Sequence, residues 1–239
     1  MEDFLRLYLQ FTIDCIHLLP TSPCLAYQAL DTLSTILADE DSILRVSPYI
    51  KELFPYLFSL ISGIQDEKFI NMIEQIIKNY GGFLTDYPPL CELLFKEIVK
   101  RIFLEVERNN QLSQTSEKKN KTNLCIIKCW NLLREISTNK YLIPKYAELF
   151  EQEIAPLFEQ MKNGDLRFDN DIICLLCSIL KNTKVVTKRM VDLMGSFGNY
   201  FEKHEGYMGP LFKCLNYMVY YGTEFFSKNP NLINMVRKS

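Results

Sequence analysis

SPYIKELFPYLFSLISGIQDEKFINMIEQIIKNYGG, residues 47–82, holds two apolar stripes at helical spacing with one short turn between them. Ser47 reads as an N-cap, followed by Pro48 where a first helical turn tolerates proline. Ile50, Leu53, Phe54, Leu57, Leu60 and Ile61 then fall three and four apart on one face. Pro55 removes one hydrogen bond inside that pattern, so a bend is expected there rather than an end. Gly63 supplies the turn. The second helix carries Phe69, Ile70, Ile73, Ile76, Ile77 and Tyr80 on one face, with Asn71, Gln75 and Lys78 opposite; Gly81 and Gly82 read as its stop. Neither stripe can be buried by one helix alone, so stacked neighbours are required.

The flanking chain repeats this hairpin. On the N-terminal side, Leu5, Tyr8, Phe11, Cys15, Ile16 and Leu19 read as the stripe of a first helix. Thr21-Ser22-Pro23 caps a second, with Ala26, Ala29, Leu30, Leu33, Ile36 and Leu37 facing inward. Asp39, Glu40 and Asp41 read as a connector. On the C-terminal side, Pro88-Pro89 restarts a helix with Leu90, Leu94, Ile98 and Ile102 inward. The polar run 109–123 then reads as a surface loop, and a partner helix resumes near Thr122 with Ile126, Cys129, Leu133 and Ile136. The proline-bearing helix recurs at an offset of 101, EIAPLF at 153–158 matching ELFPYL at 52–57, and Asn163-Gly164 matching Ser62-Gly63. After it Phe168, Ile172, Leu176 and Ile179 form a stripe. A fifth pair has Val186, Met190, Leu193, Phe197 and Phe201 on one helix and Met208, Leu211, Phe212, Leu215 and Val219 on the other.

These segments predict an all-α chain, an α-α superhelix of about five hairpins in one continuous domain over residues 1–239. The hairpins fall at 2–38, 48–80, 87–138 with a loop at 109–122, 140–181 and 184–221, with a partial repeat at 228–239. Neither end carries a polar capping repeat, so the chain reads as a slice of a longer array.

Composition agrees with a helical protein: 48% hydrophobic, 23% charged, and only 9 glycines for the many turns an all-β fold would need. A net charge of −2, from 27 basic and 29 acidic residues spread along the chain, points away from a nucleic-acid or membrane-surface partner. The longest apolar run, 53–64, is interrupted by Pro55 and Gly63 and is far short of the ~20 residues a membrane span needs. The eight cysteines fall mostly within apolar helical stripes rather than a loop framework, which suits a reducing compartment.

Little in the chain suggests catalysis. Cys174 and Cys177 have redox or zinc spacing, but no second pair or histidine lies nearby in sequence, so core packing is the expected role. His17 and His204 are the two histidines, far apart and without local triad partners. Asp169 and Asp171 suit a helix start. Gly81-Gly82 lacks the Lys-Ser/Thr of a phosphate loop. No enzyme activity, cofactor or metal is expected.

Paired helices of about 40 residues with a proline in the first resemble HEAT repeats. More closely, SPYIKELFPYLFSLI with FINMIEQIIKNYGGFL, YLIPKYAELFEQEIAPLF, and the stretch 193–238 resemble the karyopherin-β (importin-β) superfamily, in particular the central part of its importin-seven and importin-eight group. The resemblance implies a nuclear transport receptor moving between cytoplasm and nucleus. Its second helices would line a concave surface for protein cargo, and apolar slots between its outer helices would take phenylalanine-glycine nucleoporins. Ran GTPase would bind mainly through N-terminal repeats that this chain lacks. Members of that group often carry acidic insertions, whereas the loop here places Lys118, Lys119 and Lys121 after Glu117.

Two sets of residues are therefore candidates. Asn71, Gln75, Lys78, Lys128, Asn131, Glu135, Asn170, Ser178 and Lys181, on the polar faces of second helices, are the expected cargo contacts. Solvation alone accounts for such faces in most helices. Tyr49, Tyr56 and Phe58, off the main stripe of their helix, are the expected contact for pore repeats, against the plainer role of packing on an adjacent repeat.

Overall fold

A computed structural model describes residues 2–16, 18, 21–64, 66–111, 117–162, 168–203, 208–223 and 227. The described residues are helical almost throughout: α1 Glu2–Ile16, α2 Pro23–Ala38, α3 Glu40–Val46, α4 Ile50–Ser59, α5 Glu67–Leu84, α6 Pro88–Gln111, α7 Glu117–Thr138, α8 Leu142–Lys162, α9 Asp169–Thr183, α10 Lys188–Lys203 and α11 Met208–Tyr221. The chain is all-α, made of helical hairpins of the kind that stack into α-α superhelices. It divides into two compact units, 1–146 and 147–239. The boundary falls at Tyr146, whose φ of −123° and ψ of 25° interrupt α8.

In the first unit, α1, α4 and α6 lie side by side, and so do α2, α5 and α7. First helices form one layer and second helices the other, with the apolar stripes meeting between them. The hairpin at 47–82 is central to both layers. All six apolar residues read for α5 are buried, and Phe54 of α4 meets Tyr80 of α5 edge to face at 5.5 Å between ring centroids. Helix α5 starts on Asp66, whose carboxylate accepts from the backbone N–H of Lys68 at 2.8 Å and of Phe69 at 3.3 Å.

Several boundaries differ from the sequence reading. Asp39-Glu40-Asp41 is no bare connector: Asp39 starts the short helix α3, and a 3-10 turn over Ser47–Tyr49 leads from it into α4. Ser47 caps nothing with its side chain, because its hydroxyl donates back to the Leu44 carbonyl at 3.1 Å. Pro55 sits inside α4 without ending it. Gly81 and Gly82 do not stop α5 either, which continues to Leu84. Gly81 is small for another reason: a Cβ there would lie 2.6 Å from the Asn139 amide nitrogen. Asn139 donates to the Ile77 carbonyl at 2.9 Å and accepts from the N–H groups of Tyr141 and Leu142 at 3.0 and 3.1 Å, so one side chain both docks on α5 and starts α8.

The polar run 109–123 is largely helix. Helix α6 extends to Gln111 and α7 begins at Glu117. Glu, Lys, Gln and Asn extend a helix into solvent at little cost, and such turns carry no apolar period to betray them. Residues 112–116 lie outside the described residues, as do Asn163-Gly164, both histidines and the expected partial repeat at 228–239.

Charged residues also enter the first unit's interior. Arg101 on α6 is fully buried, its Nη2 2.8 Å from Glu105 Oε1 and 3.4 Å from Cys125 Sγ on α7, and its Nη1 donating at 2.9 Å to the Ser62 carbonyl. Arg108 closes the group at 2.9 Å from Glu105. One guanidinium thus joins α6, α7 and the turn after α4, and the pairing offsets a desolvation cost that a lone buried charge could not meet.

In the second unit, α9 and α11 pack together, and Ile172, Ile173, Leu176 and Leu180 of α9 are buried. On α11 the buried residues are Leu211, Cys214 and Met218, whereas Phe212 is 58% and Val219 47% exposed. The face lies a step round the helix from the one read in sequence. Helix α1 shows part of the same rotation: the predicted Cys15 and Ile16 are buried together with Leu9, Thr12 and Ile13, while Phe4, Leu7 and Phe11 point outward.

Candidate protein-binding site

The outward faces of α5 and α7 run beside each other, and six of the predicted residues meet there. Lys128 Nζ on α7 lies 3.1 Å from Asn71 Oδ1 and 3.1 Å from Glu67 Oε1, both on α5. Two turns further on, Lys78 of α5 donates to Glu74 at 2.5 Å and reaches Glu135 of α7 at 3.8 Å. Asn131 accepts from Arg134 at 3.4 Å, and half-buried Gln75 sits between the two lysine clusters along α5. The strip continues to α2, where Asp31 meets Lys68 of α5 at 2.8 Å, with the Tyr27 ring 5.8 Å from the same ammonium.

This ladder follows from register. Positions three and four apart on a helix share a face, and two helices packed along their length place like positions opposite each other. Its bonds favour the charged forms: the hydrogen bond to Glu74 raises the Lys78 pKa, with Glu135 adding to it, and the bond to Asp31 raises that of Lys68. Glu67, Glu74, Arg134, Asp31 and Lys68 belong to the face, and sequence reasoning missed them. The available signal was the opposite charge at i and i+4 in Glu74 and Lys78. Four acids, Asp31, Glu67, Glu74 and Glu135, stand against four bases, Lys68, Lys78, Lys128 and Arg134, so the face is balanced.

Asn170, Ser178 and Lys181 lie on α9 in the second unit. Asn170 is within 4.0 Å of the Cys174 thiol, the Ser178 carbonyl accepts from Asn182 at 2.9 Å, and Lys181 is exposed.

The residues predicted for pore repeats separate. Tyr56 is 51% exposed on α4. Tyr49 is half-buried in an apolar groove of about 670 Å³ lined also by Phe4, Leu5, Ile36, Leu44 and Pro48. Phe58 is wholly buried, its ring 5.7 Å from that of Phe54, and offers nothing to a partner. Its position, one residue after Leu57 and three before Ile61, already places it on the buried stripe. The groove beside Tyr49 was not legible in sequence because it joins α1, α2 and α3.

Stacked helical hairpins with a polar face along one layer define a helical-repeat protein, a class in which extended surfaces rather than deep pockets meet partners. The chain is similar to a protein of Dictyostelium discoideum described as a probable importin-7 homolog, being 23% identical over 199 residues, 80% of this chain. Those residues make up 18% of that relative, so the chain spans about a fifth of its length. No family model matches the chain, and no solved structure does. The similarity is thus a distant one, to an importin-like helical-repeat protein.

Proposed function

We propose that this chain is part of a nuclear transport receptor of the importin-β type, and that the ladder on α5 and α7 is a contact face for protein cargo. The observation that carries the reading is the similarity to the probable importin-7 homolog, which extends over 80% of the chain. Cargo binding at this face is an exchange of partners: Lys78 and Lys128 leave Glu74, Glu135 and Glu67 for acidic groups of the cargo, and the freed carboxylates take basic ones. Exposed pairs are worth about 0–1 kcal/mol each, so opening them costs little. Phenylalanine-glycine nucleoporins are proposed partners through the exposed apolar surface around Tyr49 and Tyr56, and Ran GTPase through other repeats. The chain acts without catalysis, in cytoplasm and nucleus.

Two experiments test this. Immobilised phenylalanine-glycine repeat peptide should retain the purified chain, and Tyr56→Ser should reduce retention several-fold with an unchanged circular dichroism spectrum. Failure to bind would favour a scaffold that assembles a protein complex without a transport role. The double variant Lys78→Glu, Lys128→Glu should lower recovery of nuclear proteins in affinity capture about tenfold; unchanged recovery by the folded variant would remove the ladder from the binding face.

A further inference from the structure

Beside the ladder, Asp66, Glu67, Lys121, Leu124, Cys125 and Lys128 line a cleft of about 240 Å³ between the starts of α5 and α7. Cys125 forms part of its floor. Arg101 Nη2 meets its sulfur as a donor at 3.4 Å, and Cys129 follows one turn along α7. The guanidinium cannot swing away, since Glu105 holds the same Nη2 and the Ser62 carbonyl holds Nη1.

We propose that Cys125 is a site of reversible thiol modification, reacting as a thiolate with low-molecular-weight disulfides that enter this cleft. A sulfur that accepts from a fixed cation is better matched as an anion than as a thiol. The groups facing it are Arg101 and Glu105 from α6, Cys129 from its own helix, and, around the cleft, Asp66 and Glu67 from α5 with Lys121 and Lys128 from α7. Their sum agrees with the geometry: the bond from Cys129 and the charge of Arg101 outweigh burial and Glu105, bringing the Cys125 thiol down to about 7. Cys129 is pushed the opposite way, by donating to Cys125 and by burial, and stays protonated.

The step balances with glutathione disulfide as co-reactant. Cys125, having lost its proton to solvent, attacks one sulfur of the disulfide. A bond forms between Cys125 Sγ and that sulfur as the disulfide bond breaks. The electron pair leaves on the departing glutathione thiolate, which takes up a proton. Cys125 is thereby oxidised to a mixed disulfide and one glutathione is reduced. The Lys121 and Lys128 ammonium groups are suited to the carboxylates of the incoming molecule, and occupation of the cleft would draw Lys128 from Glu67. The modification therefore reports on the ladder through the same helix.

The test is the rate of adduct formation at each cysteine of the intact chain incubated with glutathione disulfide, followed by peptide mass spectrometry between pH 5.5 and 9. The Cys125 peptide should acquire one glutathionyl group, reversed by dithiothreitol, with a rate midpoint near pH 7. An ordinary thiol is only ~3% ionised at that pH and has its midpoint near 8.5. Arg101→Met should move the midpoint upward by at least one pH unit; if that variant fails to fold, Lys121→Glu at the cleft mouth should still slow the wild-type reaction several-fold. A Cys125 that stays unmodified at all pH values until urea is added, while exposed Cys24 reacts, overturns the proposal. So does a Cys125 midpoint above 8.

Discussion

Helices α5 and α1 look alike in sequence, each with apolar residues at intervals of three and four. In α5 the positions between them are Asn71, Glu74, Gln75 and Lys78, so one face alone can be buried, and it is. In α1 apolar residues occupy two faces. Leu9, Ile13 and Ile16 are fully buried, while Phe4 and Phe11 remain 73% and 63% exposed. Periodicity shows that a helix exists in both cases, but it picks the buried face only where the opposite face is polar. Helix α11, with Phe212 and Tyr220 outward and Leu211, Cys214 and Met218 inward, belongs with α1.

The largest test of this contrast is a pair of truncations. Ile73→Ala, at a wholly buried position of α5, should lower unfolding free energy by ~3–4 kcal/mol in urea denaturation. Phe11→Ala, the bigger deletion by volume, should change it by about 0.5 kcal/mol or less, because that ring is already mostly in water. Equal losses would mean that α1 turns its other face inward.

Alkaline pH probes the interior around α5 without mutation. Burial pushes the Tyr80 hydroxyl up to about 12 and the Cys91 thiol up to about 12. Both stay protonated in the folded chain at pH values where the unfolded chain loses those protons, near 10 and 8.5. Their contribution is complete below pH 8.5 and falls away as pH rises toward 12. By pH 10 Cys91 alone should cost ~2 kcal/mol, seen as a falling melting temperature that Cys91→Ala makes shallower.

The smallest effect compares two helix starts. Asp66→Ala removes both side-chain bonds to the first turn of α5 and should cost ~1 kcal/mol. Ser47→Ala, whose hydroxyl bonds backward to Leu44, should cost less than ~0.5 kcal/mol in the same denaturation experiment.

The fold class was legible because α5, α7 and α9 present clean stripes, and so was the polar face, because Asn71, Lys78, Lys128 and Glu135 stand opposite those stripes. Their pairing was not. Which carboxylate each lysine meets depends on how α5 and α7 slide past each other, a distance that no single helix encodes. Arg101 and Glu105 were hidden for a related reason: α7, whose Cys125 meets Arg101, lies beyond the polar run 109–123 in sequence. Phe58 was misjudged on one helix, where Leu57 and Ile61 already located it.

Asn139 makes the junction between α7 and α8 a length standard. Its amide fits the notch left by the missing side chain of Gly81, a position 58 residues earlier, and from there it sets where the next helix begins. A residue inserted between Ile136 and Asn139 would not simply loosen a loop. It would pull the amide out of its notch, leave the Tyr141 and Leu142 N–H groups unmet, and put the following helix out of phase with the hairpin before it. Spacing at this junction is therefore counted by one side chain reaching backward.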